Sequence, residues 1–139
     1  MRTRTLRGRV TASETKRLIV DDGMFNHGMK VKEFHVWAIG QSSSDDPNCI
    51  LGLDSDMNGE WDASDNRQIG WAAQSTSSGS RIMQFSLIDP DHVVIQDLYI
   101  YNRSDVEPAN YMVILEPVML TGDEAILQLI KERSQDAER

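Results

Sequence analysis

Short β-type runs separated by turn residues dominate this chain up to about residue 120, and they limit its fold more than any other feature. The runs are rich in β-branched and aromatic residues and are bounded by Gly, Asp, Asn, Ser or Pro. We predict strands at residues 3–11, 17–21, 30–40, 49–53, 67–74, 80–88, 92–101 and 110–119. Many short strands in series indicate a mainly β protein, an antiparallel β-sandwich that can take the jelly-roll form, with a barrel as the alternative.

Two of these runs carry further information about pairing. Asp89-Pro90-Asp91 is a turn signal, so it predicts that residues 80–88 and 92–101 form an antiparallel hairpin. Apolar side chains occupy both faces of the run 92–101. We therefore expect that strand to be central in the fold or covered by a partner.

After residue 120 the hydrophobic period changes from that of a strand to that of a helix. Thr121 and Glu124 form the T-x-x-E pattern of a capping box, which predicts a helix over about residues 122–136. The apolar stripe of this helix contains Ile126, Leu129 and Ile130. A stripe of this kind requires burial, either on the sheet of its own domain or on another subunit.

The length of 139 residues fits one domain that spans residues 1–139, and no repeat or linker divides it. The net charge of -8 argues against nonspecific nucleic-acid binding, which depends on neutralising phosphates. The sequence has neither a signal-peptide pattern nor an apolar run of transmembrane length, so we expect no membrane partner. Cys49 is the single cysteine, which excludes an intramolecular disulfide and predicts a small buried side chain.

The charge is distributed unevenly along the chain. Residues 1–17 contain six basic side chains and one acidic side chain, a sum of +5, which leaves -13 for the rest of a chain at -8. We interpret this segment as a basic N-terminal arm that docks on an acidic surface, including that of a neighbouring copy. The alternative is an edge strand whose arginines point into water. The candidate partner-binding cations are Arg2, Arg4, Arg7 and Arg9.

The segment DSDMNGEWDASD, residues 54–65, has the spacing of a single calcium-binding loop. Alternate carboxylates around a Gly-permitted turn can supply most of the six to eight oxygens that Ca²⁺ takes. Asp65 stands where a helix–loop–helix site has a bidentate Glu, and strand-like runs flank the loop, so an Asp-rich turn between strands is the alternative. The candidate ligands are Asp54, Asp56, Asn58, Glu60, Asp62 and Asp65.

No nucleophile elbow, phosphate-binding loop or zinc-ligand spacing occurs, so we assign no catalytic residue and expect no enzyme. The remaining enzymatic option is a pair of carboxylates facing one cleft, as in glycosidases. Its candidates are Glu33, Asp97 and Glu116 in predicted strands. Trp37, Trp61 and Trp71 are more typical of a core or an interface than of a sugar-binding platform.

In three segments the chain resembles small structural proteins of tailed-bacteriophage virions, the class that decorates or cements a capsid. The segments are RLIVDDGMFNHGMKVKEFHVW (17–37), DNRQIGWAA (65–73) and IKERSQD (130–136). This resemblance implies a non-enzymatic protein that is made in the host cytoplasm and located in the virion. It also implies binding to capsid or other virion proteins through many weak contacts, as a homo-oligomer for which a trimer is one form. The basic arm and the apolar stripe of the helix are then the contact elements.

A calcium-dependent carbohydrate-binding module is the competing interpretation. It places Ca²⁺ in the loop 54–65, with Trp61 inside the loop as the aromatic platform for a sugar. The two interpretations differ in what calcium does, because a cation that binds the native form must raise its stability.

Overall fold

The computed structural model describes residues 3–20, 27–39, 46–57, 59–77, 81–124, 126–127 and 130 of the chain. Most of the predicted β-type runs are strands. They are β1 (Arg4–Val10), β2 (Thr15–Ile19), β3 (His27–Ala38), β4 (Asn48–Gly52), β5 (Gln68–Ser77), β6 (Arg81–Ile88), β7 (Val93–Val94), β8 (Asp97–Asn102) and β9 (Ala109–Met119). Alternation of apolar and polar side chains places one face of each long strand toward a core, as the sequence predicts.

The strands form two antiparallel sheets that face each other across one core. The four-stranded sheet has the order β1-β9-β3-β7, and the five-stranded sheet has the order β2-β8-β4-β5-β6. The pairing is nested, because β1 pairs with β9, β2 with β8 and β3 with β7. The predicted mainly β, sandwich-type fold is confirmed, while its jelly-roll form stays a prediction.

The core lies between the two sheets and contains the inward-facing residue of each alternating pair. Its members include Phe34, Val36, Val113 and Leu115 from the four-stranded sheet and Cys49, Leu51, Leu98 and Ile100 from the five-stranded sheet. Each fully buried aliphatic side chain stabilises the fold by roughly 1.5–3 kcal/mol relative to an exposed one. The residues between them in sequence therefore face outward, which defines the two outer faces of the sandwich.

The predicted hairpin between residues 80–88 and 92–101 is wrong. Strand β6 pairs with β5, and the turn at Asp89-Pro90-Asp91 leads the chain from the five-stranded sheet to β7 in the four-stranded sheet. The run 92–101 then divides, since β8 returns to the five-stranded sheet. A segment that changes sheets meets the core on different faces, which explains its apolar residues on both.

The described part of the basic segment, residues 3–17, is not an arm that projects from the domain. Residues 4–10 form β1, and residues 15–17 begin β2. Each of these two strands is an edge strand of its sheet. The described part of the segment forms edge strands, as the alternative predicts, but Arg4 and Arg17 contact other residues of the domain and do not simply point into water. Arg2 lies outside the described residues.

The predicted capping box is confirmed at the C-terminal end. The backbone N–H of Glu124 donates to Thr121 Oγ1 at 3.2 Å, and the Thr121 N–H donates to Glu124 Oε2 at 3.3 Å. Residues 122–124, 126–127 and 130 are helical, whereas Leu129 and residues 131–136 of the predicted helix lie outside the described part. Ile126 is 49% exposed and Ile130 is 55% exposed, so these two members of the stripe are not buried on the domain's own sheet. No helix in the described residues is long and apolar enough to cross a membrane.

Candidate interaction surfaces

The Asp-rich segment lies over the outer face of the five-stranded sheet. Ile50 alternates in β4 with the core residues Cys49 and Leu51, so its side chain points away from the core. Its register neighbours on the same outer face are Trp71 and Tyr101. Ile50 is nevertheless 0% exposed. Something must therefore cover the outer face at this point, and residues 53–67 (the covering loop) connect β4 to β5 there.

Contacts to two distant strands fix the covering loop across this face. Next to β8, Arg103 donates from Nε to the Gly59 carbonyl at 2.9 Å and from Nη2 to Glu60 Oε2 at 2.8 Å. Toward β6, Trp61 stacks on Phe85 with ring centroids 5.3 Å apart. The Arg103 guanidinium also lies 6.0 Å from the centroid of the Trp61 ring. The loop thus spans the sheet from β8 to its edge strand.

A bidentate ion pair holds the end of the covering loop. Arg67 Nε lies 2.8 Å from Asp65 Oδ1, and Arg67 Nη2 lies 2.9 Å from Asp65 Oδ2. The same guanidinium donates from Nη1 to the Asp56 carbonyl at 2.6 Å. The two side chains are 13% and 8% exposed, respectively. The hydrogen bond with Asp65 raises the pKa of Arg67, so the cation is held firmly in its charged form.

Gln68 of β5 forms hydrogen bonds with backbone groups of the covering loop. Its Nε2 donates to the Glu60 carbonyl at 2.8 Å, and its Oε1 accepts from the Asp62 N–H at 3.0 Å and from Trp71 Nε1 at 2.8 Å. This buried amide therefore connects the loop to the strand it covers. Gln68, Arg67 and Arg103 were not among the predicted site residues. For Arg67 and Gln68 the available signal was their position beside the Asp-rich turn, whereas Arg103 lies 43 residues after Glu60 and had no such signal.

The candidate calcium ligands are used to organise the loop. Asp54 Oδ1 accepts from the Asp56 N–H at 3.2 Å, and Asp62 Oδ1 accepts from the Ser64 N–H at 3.0 Å. Asp65 and Glu60 form the ion pairs described above, and Asn58 lies outside the described residues. Within the described part of the chain, no three His, Cys, Asp or Glu residues form a group that could hold a metal ion. The calcium assignment stays a prediction.

The outer face of the four-stranded sheet carries a different set of side chains. Its rows, read across β1, β9 and β3, are Arg7–Met112–His35, Arg9–Asn110–Trp37 and Thr5–Ile114–Glu33. We call this surface the bare face. Met112, Ile114 and Trp37 are each half-buried, and Arg7 and Arg9 are exposed beside them. Two of the predicted partner-binding arginines therefore border an apolar patch.

A groove opens between β1 and β2, where the first strands of the two sheets lie side by side. Its volume is about 410 Å³. Leu6, Leu18 and Tyr111 form the apolar part of its lining, and Arg7, Lys16 and Arg17 form the basic part. Gly8 makes room for Tyr111, since a Cβ at this position would lie 2.9 Å from the tyrosine hydroxyl. Neither Lys16 nor Tyr111 is among the site residues predicted from the sequence.

Two cations bridge the groove. Arg4 donates from Nη1 to the Val20 carbonyl at 2.8 Å and from Nη2 to the Ile19 carbonyl at 3.3 Å. Lys16 donates to the Arg9 carbonyl at 3.2 Å and lies 5.6 Å from the centroid of the Tyr111 ring. Arg4, which was predicted to bind a partner, is therefore engaged within the domain.

Neutral side chains bridge the opposite side of the sandwich, between β3 and the pair β5–β6. Ser86 Oγ donates to the Phe34 carbonyl, and Gln84 Nε2 donates to the Val36 carbonyl at 3.4 Å. Gln74 Oε1 accepts from the Ala38 N–H at 2.9 Å. These three bonds satisfy backbone groups of β3 beyond its short pairing with β7.

The candidate catalytic carboxylates are divided between the two sheets. Glu33 lies 3.2 Å from His35 and Glu116 lies 3.2 Å from Lys32, and both acids are about half exposed in the four-stranded sheet. Asp97 lies on the outer face of the other sheet, where it pairs with Arg17 at 2.7 Å. Burial raises the pKa of the Cys49 thiol to about 12, so this thiol is protonated at neutral pH.

Comparison with known proteins adds no family to this geometry. No protein-family model matches the chain, and neither a curated protein nor a solved structure is similar enough to match. The function is therefore inferred from the surfaces of the domain.

Proposed function

We propose that this protein is a non-enzymatic structural component of a virion, which decorates or cements a phage capsid through multivalent protein–protein contacts. The observation that carries the proposal is the difference between the two outer faces. On the five-stranded sheet the covering loop buries the centre of the outer face at Ile50 and leaves Phe85 and Leu87 of the edge strand exposed. On the bare face Trp37, Met112 and Ile114 are half-buried beside exposed arginines. An apolar patch bordered by charge is typical of a protein-binding surface.

The composition of the bare face fits a protein partner. Tryptophan, methionine and arginine are enriched in interfaces, and buried aromatic and arginine side chains carry much of their binding energy. Arg7 and Arg9 would contact acidic groups at the border of the patch, which favours an acidic shell surface. The half-exposed Ile126 and Ile130 supply a second apolar contact element at the C-terminal end.

The strand order supports the virion interpretation. Nested pairing of β1 with β9, β2 with β8 and β3 with β7, followed by β4 with β5, is the order we infer for a jelly roll to which β6 is added. Jelly rolls are found in viral capsid proteins and also in lectins. Because fold alone does not define function, the exposed patch has to discriminate between these two classes.

Multivalent attachment follows from weak individual contacts. A patch of a few half-exposed side chains gives modest affinity on its own, and occupancy of a repeated shell then depends on several copies acting together. A closed cyclic homo-oligomer, of which a trimer is one form, would present several such patches at once.

Attachment to virions tests the proposal. Purified virions of the encoding phage should contain the chain, and virions stripped of it should rebind the purified protein in a sedimentation assay. The double substitution Arg9→Glu with Trp37→Ala should weaken rebinding by at least about tenfold, or about 1.4 kcal/mol per bound copy. Leu87→Ala, which removes an exposed apolar side chain from the other sheet, is the matched control and should rebind normally. Undiminished rebinding by the double variant, with its folding verified by melting, would contradict the proposal.

The alternative is a calcium-dependent carbohydrate-binding module. The Trp61 ring already contacts Phe85 and Arg103, so a sugar would compete with these side chains for its faces. A thermal melt in EDTA and in millimolar Ca²⁺ separates the two functions. A calcium-induced increase in Tm together with glycan binding would favour the alternative, because only a ligand of the native state raises stability in this way.

A further inference from the structure

We propose that the groove between β1 and β2 binds a short, extended, acidic segment of a partner protein, which adds as a strand to the free edge of β2. The groove is a surface separate from the bare face apart from Arg7, which contributes to both. The inference therefore holds or fails independently of the attachment proposed above. Three properties of the groove carry it: free backbone groups, an apolar floor and uncompensated positive charge.

The backbone groups of β2 alternate in direction. The Asn102 N–H donates to the Glu14 carbonyl at 3.1 Å, just before β2 begins. In an antiparallel ladder the residues that exchange hydrogen bonds alternate with residues whose N–H and C=O groups point away. With this register, Lys16 and Leu18 bond toward β8, whereas Thr15 and Arg17 direct their backbone groups to the outside. Among the described residues β2 is the last strand of its sheet, and Arg4 occupies the Ile19 carbonyl at one end of its edge. The outward groups of Thr15 and Arg17 form the part of this edge to which a strand can be added.

The floor of the groove is suited to apolar side chains. Leu18 and Tyr111 are 6% and 3% exposed, and Leu6 is partly buried against the same core. An added strand would direct alternate side chains toward this floor and the others toward solvent. Ile19, which is 61% exposed beside the groove, would lose contact with water when the strand binds.

The positive charge of the groove determines which kind of partner segment it favours. Three cations line the groove: Arg7, Lys16 and Arg17. Among the described residues only Arg17 of these three pairs with a carboxylate, at 2.7 Å from Asp97. Lys16 donates to a neutral carbonyl, and Arg7 has no ion pair within the described part of the chain. Two uncompensated cations around an apolar floor favour a segment that alternates acidic and apolar residues.

The same positive charge disfavours a second copy of this chain as the strand that pairs with β2. A two-fold pairing of β2 with β2 of another copy would bring Lys16 and Arg17 toward the same residues of the partner, since such an interface uses one patch on both subunits. Like charges directly opposite each other destabilise a strand pair. The acidic partner segment is therefore the occupant that this edge favours.

Fluorescence anisotropy with a labelled peptide tests the inference on the full-length protein. The probe is a short peptide in which glutamate alternates with valine, and the control peptide has lysine in place of glutamate. We expect the acidic peptide to bind and the basic peptide not to bind. Added salt should weaken binding of the acidic peptide, because the interaction depends on exposed charges. Equal binding of both peptides, or of neither, would overturn the inference.

Two variants, each with a control variant, test separately how charge and backbone pairing contribute to peptide binding. Lys16→Glu should weaken binding of the acidic peptide by at least about tenfold, whereas Lys32→Glu, the same charge change on the other sheet, should alter it by less than about twofold. Thr15→Pro removes an N–H that points away from β8 and should also weaken binding, whereas Thr15→Ala should not. Native-like melting confirms the fold of each variant. Unchanged binding by Lys16→Glu would overturn the inference, as would dimers in light scattering that Thr15→Pro abolishes.

Discussion

The two outer faces of this sandwich differ in how their apolar side chains are shielded from water. Both sheets carry apolar side chains on the face opposite the core, Ile50 and Trp71 in one case and Met112 and Trp37 in the other. The covering loop buries the centre of the patch on the five-stranded sheet, so that Ile50 is inaccessible to water, while Trp71 is half-buried and Leu87 at the sheet edge is exposed. The bare face leaves its patch half-buried beside exposed arginines. The difference lies in the loop that shields the centre of one face and in the positive charge that borders the other.

Covering a sheet with a loop is costly because the loop brings backbone polar groups onto an apolar surface. Arg67, Gln68 and Arg103 reduce this cost, since each donates to a backbone carbonyl of the loop. The acidic side chains serve the same end by forming turns and ion pairs. The high density of Asp in residues 54–65 thus has a structural explanation that requires no cation.

The largest effect should come from removing one tryptophan from each face. Trp61 and Trp37 are both half-buried, so the expected difference comes from what each ring contacts. Trp61→Ala removes the stack on Phe85, exposes the patch around Ile50 and should lower the free energy of unfolding by about 3 kcal/mol. Trp37→Ala should lower it by about 1 kcal/mol, because Trp37 makes no ring contact among the described residues. Urea unfolding of both variants measures the difference. Equal losses would show that the two faces do not differ as we describe.

A smaller effect should follow from loss of the ion pair that fixes the covering loop. Arg67→Ala removes the guanidinium contacts to Asp65 and to the Asp56 carbonyl and should lower the free energy of unfolding by about 2 kcal/mol. This value is below the roughly 3–5 kcal/mol of a fully buried pair, since the loop lies at the surface. Lys32→Ala breaks an exposed pair with Glu116 and should cost at most about 1 kcal/mol. If the two losses are alike, the loop is not held by Arg67.

The sequence predicted the strands well and their partners poorly. Alternation in the run 30–40 located β3 because side-chain direction is a local property. The turn at Asp89–Asp91 also exists, but a turn signal does not specify which strand comes next in the sheet, and β6 pairs with β5. Pairing depends on contacts between residues far apart in the chain, which no local pattern contains.

Prediction of the candidate site from the sequence is limited in the same way, because the site also depends on contacts between residues far apart in the chain. Spacing of carboxylates in residues 54–65 describes the loop alone, whereas its environment depends on Arg103, which lies 43 residues after Glu60. Arg7 and Arg9 were recognised by charge, but their apolar neighbours Met112 and Trp37 come from other strands. Lys16 and Tyr111 meet only because the first strands of the two sheets lie side by side.

The smallest effect we predict concerns the inner side of the covered sheet, where Cys49 lies behind the face that the loop protects. Burial raises the pKa of this thiol from 9.0 to about 12, so the folded protein keeps the proton at a pH where the unfolded chain loses it. The contribution of the thiol to stability is therefore complete below about pH 9 and decreases as the pH rises toward 12, by roughly 1.4 kcal/mol per pH unit. Cys49→Ala lacks this titration, and its cavity cost does not depend on pH. The difference in unfolding free energy between the two proteins should thus shift against the wild type by about 1.4 kcal/mol between about pH 8 and about pH 10. A constant difference would mean that water reaches the Cys49 thiol in the folded protein.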